Sequence, residues 1–308
     1  MFTLDQTYSH TSLSIGREGF RMKRGLILLC SLVIILLLWY RNINVGNDSL
    51  PHKEDMKDHG ETSQDKGSDE SKMNSPYSLS TDNEEWVLVW EEHFNGSELN
   101  QEDWNIENWP SNKNNELQYY TPNNILVEDG LLKIVSKKER YDGREYTSGA
   151  IHSKDKFHFL YGKVEMRARL PAGQGVWPAF WMLPNKDQTW LPEIDIMEML
   201  GHQPNKVWMT LHWLDLEKKQ QKTHSVYKGP DYSSGFHTFG VEWTPHSITW
   251  LIDGKKRFKT NQYIPQEEMY LYLNTAIGGD WPGNPDDTTK FPVYYEVDYI
   301  KVYEKSGS

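Results

Sequence analysis

The chain has 308 residues, a net charge of −11 and a single cysteine. That charge argues against a nucleic-acid partner, because a phosphate-binding face needs clustered Lys and Arg. It suits a neutral substrate. Thirteen Trp and seventeen Tyr are many for this length, although a β-rich core absorbs some of them.

The N-terminal stretch 1–24 is basic, with Arg17, Arg21, Lys23 and Arg24 close together. An apolar run from Gly25 to Tyr40 follows, and Arg41 closes it. The run is short for a bilayer span, which needs about 17–25 residues. Its basic leading flank is that of a signal anchor or signal peptide over 25–41, with residues 1–24 on the cytoplasmic side. No small-x-small cleavage site follows, so an uncleaved anchor is favoured over a cleaved signal. The protein is therefore expected outside the cell, held to the membrane through residues 25–40 or else secreted. Cys30 lies inside the run. The exported part then has no disulfide and depends on its core.

Residues 42–83 have mixed charge and almost no large apolar side chains. Such a segment cannot bury enough surface to offset its chain entropy. It reads as a disordered linker.

From residue 84 to 308 the texture changes to short strands. Trp86–Trp90 is the first. Gly162–Leu170 alternates cleanly, with Val164, Met166, Ala168 and Leu170 on one face. Val207–Trp213, His237–Trp243, Ile248–Asp253, Met269–Thr275 and Tyr294–Tyr303 continue the pattern. Asp253-Gly254 is a hairpin turn signal. No long 3.6-residue periodicity is present. Many short strands at regular spacing predict an all-β, two-sheet antiparallel sandwich.

Within this region, Glu193-Ile194-Asp195-Ile196-Met197-Glu198 places three carboxylates in six residues. In a strand, residues two apart share a face. Glu193 and Asp195 therefore point one way, and Ile194 and Ile196 point into the core. Glu198 has the wrong parity, and an unpaired buried carboxylate there would cost several kcal/mol. A β-bulge around Ile196 or Met197 returns Glu198 to the face of the other two. Three converging acids suit acid/base and nucleophilic work on a glycosidic bond. The competing reading is a solvated acidic sheet face. Trp177, Trp181 and the nearby Trp190 weigh against it, because indoles stack on the apolar faces of sugar rings.

The motif resembles the active-site strand of the bulged, laminarinase-like branch of glycoside hydrolase family 16. The likeness covers nearly all of residues 86–304. It extends to Trp90–Asn100, Asn115–Thr121, Tyr161–Arg167, Gly175–Leu183, Gly278–Gly283 and Val297–Tyr303, in that order. It implies a β-jelly-roll with an open cleft, and retaining endo-hydrolysis of β-1,3- or mixed β-1,3/1,4-glucans. It places Glu193 as nucleophile, Asp195 as helper and Glu198 as acid/base. It places Trp177, Trp181, Asn115, His212 and Trp281 against the β-glucan polysaccharide. No cofactor is required, but relatives of this kind imply a structural calcium. Asp298 and the Gly130 carbonyl match two of its ligand positions, while His93 stands where an acid is expected. Ala150 stands where many relatives carry Arg. A monomer is expected. Two other functions share the scaffold: a β-glucan transglycosylase, and a non-catalytic β-glucan-binding protein, which would not need the acids.

Overall fold

The computed structural model describes residues 85–307, except 187 and 188. The segments 1–24, 25–41 and 42–83, with the apolar run and the linker, lie outside the described residues. Among the described residues no helix is long and apolar enough to cross a membrane.

The chain from Trp86 to Lys305 folds as two antiparallel eight-stranded sheets stacked as a sandwich, with a small three-stranded sheet beside them. The first sheet runs in the order Lys255–Thr260, Ser247–Ile252, His237–Thr244, Gly162–Arg169, Val293–Lys305, Leu131–Ser136, Ile125–Glu128. Trp86–Glu92 pairs alongside Val293–Lys305. The second runs Gln220–Lys228, Lys206–Leu214, Glu193–Glu198, Val176–Pro184, Met269–Ile277, Ala150–His152, Asn105–Ile106. Consecutive strands in the chain are often neighbours in the sheet, as hairpin-connected sandwiches require.

The alternation expected of Gly162–Arg169 holds. Val164, Met166, Ala168 and the following Leu170 are all buried between the sheets. The Asp253-Gly254 turn also forms. Both residues have positive φ, 51° and 68°, and Ile252 pairs with Lys255 across the two-residue loop. That is the geometry a primed hairpin turn demands.

The inner faces of both sheets supply one continuous core. Trp104, Trp243 and Trp250 are fully buried within it. The second sheet turns its other face outward, and its cross-strand rows form the floor of a cleft. One row reads His152, Tyr272, Trp181, Asp195, Thr210, His224. Cross-strand partners share a face of the sheet, so all six side chains stand on the cleft side.

Candidate active site

The register of the acidic strand breaks where parity required it to break. Asp195 pairs with Thr210, yet Glu198 pairs with Trp208. On the other side, Trp181 pairs with Asp195, and Phe180 pairs with Met197. Ile196 is the extra residue. Ile194, Ile196 and Met197 all enter the core, so two adjacent side chains point inward at the bulge. Beyond it, Glu198 faces outward again. Glu193, Asp195 and Glu198 line one cavity of about 410 Å³.

The bulge leaves backbone polar groups without ladder partners. The indole Nε1 of Trp250, from the opposite sheet, donates to the backbone carbonyl of Asp195 at 2.8 Å. The fully buried ring thus fixes the acidic strand from behind.

Burial raises the proton affinity of all three acids. For Glu193 and Glu198 the cause is desolvation first and the charge of Asp195 second. Desolvation carries Asp195 up to about 7, against a hydrogen bond with Glu193 that lowers it. Glu193 and Asp195 lie within hydrogen-bonding reach of each other. Trp177 Nε1 donates to Glu198 Oε1 at 3.1 Å, which favours the ionised form and partly offsets the burial.

His212 pairs with Glu193 across the strands. Its Nε2 lies 3.4 Å from Asp195 Oδ2 and 4.0 Å from Glu193 Oε1. Desolvation holds its pKa below the usual value, so the ring is neutral at neutral pH. Glu193, Asp195 and His212 each present an atom within 4.8 Å of the others, the single such grouping of potential metal ligands among the described residues. The same closeness is what proton sharing needs.

Trp181 lines the cavity and donates from Nε1 to Asn274 Oδ1 at 2.9 Å. Trp281 is partly exposed. It meets Trp177 and Trp208 edge-on, with centroids 5.1 and 5.3 Å away. These rings form an aromatic corner beside Glu198.

With the acids and their tryptophans in one cavity, the sequence likeness can be tested directly. The family model of glycosyl hydrolases family 16 matches residues 111–301. The chain belongs to glycoside hydrolase family 16. A second model, beta-glucan synthesis-associated protein SKN1/KRE6/Sbg1, matches residues 25–189. The family 16 chain is 36% identical over 250 residues to a beta-glucanase of Rhodothermus marinus, covering 71% of this chain and 85% of that one. It is 37% identical over 252 residues to a glucan endo-1,3-beta-glucosidase of Cryptopygus antarcticus, covering 70% and 91%. The laminarinase catalytic domain of Thermotoga maritima superposes with a TM-score of 0.68 at 37% identity. That match covers 73% of this chain and all of that domain.

Asn115 stands apart from the acids. It has a positive φ of 55° and donates to Asp280 Oδ1 at 2.8 Å. It lines a neighbouring polar concavity of about 650 Å³, while Asn114 lines the acid cavity instead. The two cavities share Ser111 and Glu116 as a wall.

The residues expected around a calcium do not fit one. Asp298 forms an ion pair with Arg167, and His93 pairs with Glu91 at 2.9 Å. Gly130 sits in a left-handed turn at φ 71°. The one carboxylate of the expected set is already paired with Arg167, and the His93 side chain brings no oxygen, whereas calcium needs about six to eight oxygen ligands. Ala150 is fully buried and offers no polar group to the cleft.

The sequence reasoning missed Tyr120, Tyr272 and Asn274. Asn274 links Trp181 to Tyr120, donating to the Tyr120 hydroxyl at 3.0 Å. The Tyr272 hydroxyl donates to Glu107 at 2.9 Å. A signal for two of them was present: Tyr270, Tyr272 and Asn274 share strand parity in Met269–Ile277. Tyr120 reaches the site from the short strand Gln118–Tyr120 of the small sheet.

Proposed function

We propose that this chain is an exported, retaining endo-glycosidase that hydrolyses β-1,3-glucan or mixed β-1,3/1,4-glucan, anchored outside the cell through residues 25–40. The convergence of Glu193, Asp195 and Glu198 in one tryptophan-lined cavity carries the reading. Relatives named endo-1,3-beta-glucosidase and beta-glucanase support the substrate class.

Glu198 starts protonated. Its proton passes to the glycosidic oxygen as the C1–O bond breaks, and the Glu193 carboxylate forms a new ester bond to C1. The hydrogen bond between Glu193 and Asp195 raises the first and lowers the second, so the shared proton rests on Glu193 and passes to the ionised Asp195 carboxylate as Glu193 attacks. Water then adds to C1, the ester to Glu193 breaks, and the carboxylate of Glu198 takes the water's proton. The raised proton affinity of Glu198 suits a group that must begin as an acid. The tryptophans hold the sugar faces while this happens.

A transglycosylase is the second reading, because the glucan-synthesis family model matches residues 25–189. That match ends before the acids begin at Glu193, so it bears less on the chemistry. A non-catalytic binding protein has no use for three desolvated acids.

Incubation of the protein with laminarin tests the proposal. Oligosaccharides should be released, and release should vanish in Glu193→Gln. Binding without release would sink the enzyme reading, and products longer than the substrate would favour the transferase.

A further inference from the structure

We infer that the edge strand Gln220–Lys228 forms the floor under the departing sugar, and that Lys222 is the side chain that grips it. This rests on the glycosidase reading above.

The cleft is lopsided. On one side of the acids it is walled by Trp109, Tyr120, Trp181, Tyr272 and Asn274. On the other side only Gln220 of the edge strand reaches the enclosed part. A reaction through a covalent glycosyl-enzyme must hold one sugar while the other leaves and water enters. The walled side suits the sugar that stays, and the open side suits the one that goes.

The register shows what paves the open side. Glu193 pairs with His212, and His212 pairs with Lys222. Asp195 pairs with Thr210, and Thr210 with His224. Glu198 pairs with Trp208, and Trp208 with Val226. Partners share a face, so Lys222, His224 and Val226 extend the floor beyond each acid in turn. The odd-numbered residues face the other way, and Tyr227 packs on the core.

Lys222 is exposed. Among the described residues it makes no hydrogen bond or ion pair. The register sets it on the cleft face one strand beyond His212, and its charge reaches both Glu198 and His212. A lysine so placed offers three donors to sugar hydroxyls, and its aliphatic stem covers a sugar's apolar face. The ligand class is a neutral glucosyl residue, either departing or, as an acceptor, arriving.

The test compares two substrates of the full-length protein. Laminarihexaose leaves a sugar on the open side. A p-nitrophenyl β-laminaribioside leaves a phenol, which needs no sugar contact. In Lys222→Met, kcat/KM should fall about tenfold on the hexaose and at least fivefold less on the aryl glycoside, with Lys222→Arg restoring most of the loss. Equal losses on both substrates, or no loss on either, would overturn the role of Lys222 and leave the glycosidase reading standing. A wild-type protein that cleaves neither substrate would overturn both.

Discussion

Trp250 and Asp195 meet back to front across the sandwich: the buried indole donates to the backbone carbonyl of Asp195 at 2.8 Å. This bond ties the second sheet's bulged strand to the first sheet, directly behind the acids. Trp250→Phe leaves that carbonyl without its partner in a dry interior. The expected cost is about 1–3 kcal/mol for the orphaned group, read as a lower urea midpoint with an unchanged slope. Activity per folded molecule should fall as well, because the strand carrying the acids loses its brace. Unchanged kcat in the folded variant would show that the bulge holds its shape without Trp250.

Stability should fall as pH rises from about 4 to 7. Burial carries Asp195 from the usual 3.8 up to about 7. Between those values the folded chain keeps a proton that the unfolded chain has released. The stabilisation is complete below the lower value and is lost as pH climbs through the upper one. Glu193 and Glu198 shift the same way. His212, shifted down by burial, opposes them below about 6.5 and is one group against three. Asp195→Asn should therefore be more stable than the wild type at pH 8, by an amount on the order of a few kcal/mol. The gain should vanish near pH 4. Denaturant melts across that range decide it, and a gain independent of pH would contradict the assignment.

Trp177 tunes Glu198 as well as lining the cleft. Its 3.1 Å hydrogen bond favours the ionised carboxylate. In Trp177→Phe that donation is gone, so Glu198 should hold its proton to higher pH. The alkaline limb of the kcat/KM profile should move up by a few tenths of a pH unit or more, with lower overall rates. An unmoved limb would separate Trp177 from the chemistry and leave it a stacking role alone.

Two asparagines should behave differently. Asn274 joins Trp181 to Tyr120, so Asn274→Ala removes a partner from the buried Tyr120 hydroxyl and from the half-buried Trp181 indole beside the acids. A loss of about 10–100-fold in kcat/KM is expected, consistent with roughly 1–3 kcal/mol. Asn115 faces the neighbouring concavity and Asp280. Asn115→Ala should change cleavage of short oligosaccharides by no more than about threefold. Steady-state kinetics on laminaritetraose would reverse this ranking if Asn115 reaches the reacting sugar.

Much of the site was legible because its logic is local. The parity of Glu198 against Glu193 and Asp195 demanded a bulge, and the bulge falls at Ile196 within the span that parity allowed. The alternation in Gly162–Arg169 announced its buried face in the same way. Contacts that cross the sandwich were not legible. Nothing near Trp250 in sequence says that it supports Asp195, 55 residues away. The placement of Asn115 was illegible for a related reason. It sits next to Asn114 at a turn where both have positive φ, and which of the two faces the acids depends on that turn, not on residue type. The calcium expectation rested on residue identity alone, and the ion pair of Asp298 with Arg167 is a cross-strand contact invisible in the linear order.

The most direct measurement is proton NMR of the sugar first released from a β-1,3-glucan, recorded before the anomers equilibrate. Attack by Glu193 followed by water predicts the β-anomer. An initial α-anomer would mean a single displacement by water, and would contradict a covalent bond to Glu193.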